Sequence, residues 1–122
     1  MTSFKYAGDD PFFDAQTARY LAGMGQTGNQ PSIVLREVIA IQTAIATAVA
    51  EGKLATTVQS SPMTTDSNYF FAWNDPAAYQ SEEDRMRRDQ MNKIRDYFSF
   101  RGYRISRNRV GTSNNFEWEI KW

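Results

Sequence analysis

The chain has no cysteine and no histidine. The first absence removes disulfides, thiolate metal sites and cysteine nucleophiles. The second removes the residue that most transition-metal sites and serine triads depend on. A cysteine-free chain also suits a reducing cytoplasm. No apolar run approaches the ~20 residues that span a bilayer, and the opening MTSFKYAGDD lacks the basic-then-apolar pattern of a secretory signal. Net charge is missing too, because 14 Lys and Arg balance 14 Asp and Glu.

What is present describes a globular domain. A chain of 122 residues fits one domain, and a domain near this size buries roughly 65% of the surface its unfolded chain exposes. Hydrophobic residues make up 41% and charged residues 23%, which is not the composition of a disordered chain. Aromatic residues reach 14%. Rings supply large contact area at low entropy cost, in a core or at an interface alike. The charge is also polarised. Up to Asp84 there are four basic and ten acidic residues; from Arg85 onward there are ten basic and four acidic. Such polarity attracts nucleic acid, or lets one copy's acidic half meet another's basic half.

Four of the seven glycines (Gly8, Gly23, Gly25, Gly28) and two of the four prolines (Pro11, Pro31) lie in residues 1–31. This composition predicts an extended N-terminal arm. The arm carries Phe4, Tyr6, Phe12, Phe13, Tyr20 and Leu21. Solvated linkers rarely hold so many rings, so these six are expected to anchor the arm to its own domain or to a neighbour. A partly disordered terminus is the other reading.

Residues 32–122 predict a compact α+β domain. Ser32–Glu51 has helical apolar spacing at Leu35, Val38, Ile39, Ile45, Ala46 and Val49, with Gly52 as a stop. It is apolar over more than one face, which predicts burial on two sides or a contact with another subunit. Leu54–Ser60 predicts a threonine-rich strand. Asp66-Ser67-Asn68 can cap a short helix leading into Tyr69, Phe70, Phe71 and Trp73. Ser81–Arg101 predicts a second long helix with a stripe of Met86, Gln90, Met91, Ile94, Tyr97 and Phe98, closed by Gly102. Tyr103–Val110 and Phe116–Trp122 predict a hairpin. In its second strand Phe116, Trp118, Ile120 and Trp122 alternate with Glu117, Glu119 and Lys121. The expected architecture is a small antiparallel sheet of about three strands, covered on one face by two helices.

Few constellations suggest chemistry. Glu82-Glu83-Asp84 is the densest carboxylate run, but consecutive helical residues fan apart by about 100° each, so capping and dipole compensation explain it best. Ser60, Ser61, Thr64 and Thr65 have no histidine base, and the glycines form no phosphate-binding pattern. No catalytic, cofactor or metal residue is nominated, and no enzyme activity is expected. A basic helix followed by a two-stranded wing has the order of a winged-helix nucleic-acid binder. Arg88, Asn92, Arg95, Arg104, Arg107 and Arg109 would form its face. The arginines of the first wing strand nevertheless split by parity, Arg107 and Arg109 against Arg104.

Four segments also carry a family likeness: LREVIAIQTAIATAVAEGKLATTV, MTTDSNYFFAW, DQMNKIRDYFSFRGYRISR and FEWEIKW. Over about residues 33–122 the chain resembles small virion-associated proteins of tailed bacteriophages, especially those infecting cyanobacteria and other marine bacteria. The charged stretch Ser81–Arg88 and the Asp75-Pro76 break depart from that pattern. The resemblance implies a structural virion component attached to capsid, neck or tail, made in the host cytoplasm. Its partners would be other virion proteins and copies of itself, with no membrane.

Overall fold

The computed structural model describes residues 33–122. The six arm anchors therefore lie outside the described residues. The elements are α1 (Ile33–Ala50), β1 (Ala55–Val58), α2 (Ser67–Asn74), α3 (Glu82–Phe100), β2 (Arg104–Arg109) and β3 (Phe116–Lys121). The fold is α+β, and the described residues form three helices beside a three-stranded antiparallel sheet.

The strand order is β1-β3-β2. Thr56 lies opposite Ile120 and Val58 opposite Trp118 on one side of β3; Ile105, Arg107 and Arg109 lie opposite Ile120, Trp118 and Phe116 on the other. Side chains alternate along a strand and cross-strand partners share a face. One face therefore carries Thr56, Val58, Ile105, Phe116, Trp118 and Ile120, and it meets the helices. The opposite face carries Thr57, Arg104, Ser106, Asn108, Glu117 and Glu119, and is polar. The strict alternation in β3 arises because its two faces meet different media.

The core joins Val34, Val38, Ile41 and Ile45 of α1, Met91, Ile94, Tyr97 and Phe98 of α3, and Phe116, Trp118 and Ile120 of β3. Burying each of these large side chains contributes roughly 1.5–3 kcal/mol. The short helix α2 adds Tyr69, Phe70 and Ala72. Its Trp73 ring lies 5.8 Å from Phe116, which packs edge-on against Trp118 at 5.4 Å. The ring-rich segment thus covers the end of the sheet where β3 begins.

Local chemistry sets the helix ends. Asp66 caps α2 by accepting the Asn68 N–H. Ser81 Oγ accepts the Asp84 N–H at the start of α3. Gly52 and Gly102, at φ +77 and +94, end α1 and α3. In both cases the next residue's N–H reaches back into the last turn: Lys53 to the Ala48 carbonyl and Tyr103 to the Phe98 carbonyl.

Two stripes differ from expectation. In α1 the buried residues are Val34, Glu37, Val38, Ile41, Ile45 and Ala48. The helix is rotated relative to the apolar stripe its sequence suggests, because a glutamate takes a core position. Ile39 and Val49 are consequently 43% and 45% exposed, so the second apolar side is not covered by the described residues. In α3, Met86 is also exposed, and Asp84 is buried in its place.

Candidate functional site

Glu37 is the most unusual polar group among the described residues. It is 0% exposed. Its Oε1 accepts the Met63 N–H at 3.0 Å, and its Oε2 accepts Ser61 Oγ at 2.5 Å and Trp118 Nε1 at 2.7 Å. The Ser61 N–H donates to Thr64 Oγ1 at 2.8 Å, and Thr64 Oγ1 donates back to the Ser61 carbonyl. A buried indole N–H or loop amide without an acceptor is costly, and one carboxylate satisfies both. Burial pushes the Glu37 carboxyl above its ordinary range. The bonds from Ser61, Met63 and Trp118 oppose that shift without cancelling it.

A carboxylate against a serine hydroxyl has the composition of a base and a nucleophile. Here Ser61 and Thr64 are as enclosed as Glu37, so no substrate reaches them. What the node does is positional. It fastens the loop between β1 and α2 to α1 and to the central strand at one point. From the sequence alone Glu37 has no assigned role. The available signal was Trp118, whose N–H needs an acceptor once the ring is buried.

The acidic run at the start of α3 is a cap. Ser81 Oγ donates to Asp84 Oδ2 at 2.8 Å and Arg87 Nη1 pairs with Asp84 Oδ1 at 2.9 Å. The Ser81 bond foremost, then Arg87, holds the Asp84 carboxyl below its ordinary value.

The six residues of the basic set do not share one surface. Arg88 Nη1 donates to the Ala72 and Tyr79 carbonyls at 3.1 and 2.7 Å, tying α3 to the end of α2 and the connector after it. Arg95 bonds Asp96. Arg107 lies 5.8 Å from the Trp73 ring and 5.7 Å from Trp118. Burial, and then repulsion from Arg95, pushes its guanidinium down to about 10. Arg109 donates to the Thr112 and Ser113 carbonyls of the hairpin turn and lies over Phe70. Arg104 is on the opposite face of the sheet. Asn92 is half-buried. Thus Arg95 and Arg107 come near each other, while Arg88 and Arg109 serve the fold's own carbonyls.

The described surface has two further features. Where α1 and α3 end, and where β2 begins, Ile45, Val49, Arg101, Gly102, Tyr103 and Trp122 line a groove of about 340 Å³. Leu54 bonds Trp122 through its carbonyl at this same end. Leu54 is 70% exposed and Phe100, just before the groove, is 89% exposed. A second groove, of about 540 Å³, runs between α1 and β1. Against the sequence expectation, α1 is long and apolar enough to cross a membrane by length and composition, but its core stripe packs against the sheet and α3.

Among the described residues no group of three acidic side chains is placed to hold a metal ion. No family model, curated protein or solved structure matches the chain.

Proposed function

We propose that this chain is a structural component of a bacteriophage virion, attached to capsid, neck or tail and assembling through its arm and its apolar surfaces. The observation that carries the reading is the set of large apolar side chains left exposed, Leu54 at 70% and Phe100 at 89%, together with the groove lined by Ile45, Val49, Arg101, Gly102, Tyr103 and Trp122. Exposed apolar patches of this kind mark sites of protein association. The rings of residues 1–31 supply matching anchors, and rings dominate binding energy at interfaces. The likeness to small phage proteins over residues 33–122 supports the same reading. The dispersal of Arg88, Arg104, Arg107 and Arg109 gives the nucleic-acid alternative no comparable support.

Mass spectrometry of purified particles tests the proposal. The chain should be present in many copies. A version lacking residues 1–31 should fold yet be missing from particles. Its normal incorporation would refute the arm's role.

A further inference from the structure

Among the described residues the sheet has two unpaired edges, and they are unlike. The Trp122 N–H donates to the Leu54 carbonyl at 3.0 Å, which sets the phase of the β1–β3 ladder. Bonded and non-bonded pairs alternate in an antiparallel ladder. Leu54, Thr56 and Val58 therefore bond inward to β3, while the N–H and C=O of Ala55 and Thr57 point outward. The Val110 N–H to Asn115 carbonyl bond fixes the other ladder in the same way and turns Ile105, Arg107 and Arg109 outward.

Folded proteins blunt free edges with charge, proline or bulges. The β2 edge has three arginines in six residues. The β1 edge is Ala-Thr-Thr-Val, with neither charge nor proline. Beside it lies the 540 Å³ groove, whose helical wall is Ala44, Thr47 and Ala48, with the Glu51–Lys53 ion pair at its end. Small side chains on that wall leave room for another backbone, which needs about 4.8 Å from β1.

The chain itself contains a sequence with strand-like alternation. Residues 2–7 read Thr-Ser-Phe-Lys-Tyr-Ala, with rings on one parity and Lys5 on the other. Laid along β1, Phe4 and Tyr6 would face Ala44, Thr47 and Ala48. Lys5 would then share the open face with Glu119, which also lines the groove. Residues 8–32 span up to about 80–90 Å when extended, against about 27 Å for the 18 residues of α1. That reach extends to a neighbouring molecule.

We propose that the free edge of β1 takes residues 2–7 of a second copy as a fourth strand. The proposal rests on the assembly reading above and names the contact that would link copies.

The test is Thr57→Pro in the full chain. It removes an outward N–H and blocks strand addition, yet leaves every bond to β3 in place. By native mass spectrometry and sedimentation, the wild-type chain should associate with rising concentration. Thr57→Pro, and separately a chain lacking residues 2–7, should associate at least tenfold more weakly. Mixing the two should restore a pair, since one supplies the strand and the other the edge. A wild-type chain that stays monomeric, or Thr57→Pro chains that associate normally, would overturn the proposal.

Hydrogen exchange on the unmutated chain gives a second readout if Thr57→Pro does not fold. Slow exchange at Ala55 and Thr57 should appear only at concentrations where copies associate. Protection in the dilute monomer would mean that the arm closes its own groove, which also overturns the proposal. Particle incorporation separates the two readings. Thr57→Pro chains that enter particles normally would sink the edge contact and leave the virion reading standing. Wild-type chains absent from particles would sink the virion reading alone.

Discussion

At the scale of single residues, Glu37 is where the fold is most sensitive. Glu37→Ala would leave the Met63 and Trp118 donors without an acceptor, while Ser61 Oγ keeps Thr64 Oγ1 at 2.8 Å. An orphaned buried donor costs about 1–3 kcal/mol, so the expected loss is about 3 kcal/mol or more, read as a lower urea midpoint. Glu37→Gln keeps one acceptor oxygen and should lose less. The pH dependence has a definite sign. Burial raises the folded-state carboxyl above its unfolded value, so its neutral form is the one folding favours. That contribution is complete below the unfolded value, ~4.3. It is lost as pH rises through the folded value. The melting temperature of wild type should therefore fall relative to Glu37→Gln as pH rises from about 4. Two parallel melting curves would contradict this. Asp84, whose carboxyl is depressed, has the opposite sign, and it cancels in that comparison. Glu37 was illegible in the sequence because a charged residue amid Ile, Val and Ala reads as a surface position, and its partners stand far away in the chain.

At the scale of elements, the ends were more legible than the faces. Ser81, Asp66, Gly52 and Gly102 announce helix limits by local chemistry, which needs no tertiary context. The β3 alternation was equally plain. The orientation of α1 was not, because Ala and Ile on several sides leave the phase undetermined until Glu37 is seated. The Met86 position failed for a related reason: Asp84 takes the buried turn as partner of Ser81 and Arg87. The glycine ends give a prediction at this scale. A side chain at position 52 or 102 would meet nothing within 4 Å, so only backbone conformation opposes it. Gly52→Ala and Gly102→Ala should each cost about 1–2 kcal/mol by urea denaturation. A change near zero would show that the last turns rearrange freely.

At the scale of the whole molecule, the fold separates what holds it together from what it leaves uncovered. Three of the arginines that looked like a nucleic-acid surface, Arg88, Arg107 and Arg109, are drawn into carbonyl and ring contacts. The exposed apolar residues, by contrast, were not legible, since whether Leu54 and Phe100 are covered is decided only once the sheet and helices are assembled. Phe100→Ser should leave the melting temperature within about 1 °C, because an exposed side chain contributes little to stability. Incorporation into particles should fall sharply. A large drop in melting temperature would instead place the ring in the core. The strand order adds a constraint on timing. β1 and β2 do not touch; both wait for β3, which also brings Trp118 to Glu37, 81 positions earlier in the chain. At ~5–20 residues per second of synthesis, that wait lasts roughly 4–16 s. Through it the nascent chain carries a carboxylate with no indole to receive and a threonine strand with no neighbour. The middle of the sheet is the last of its three strands to be made.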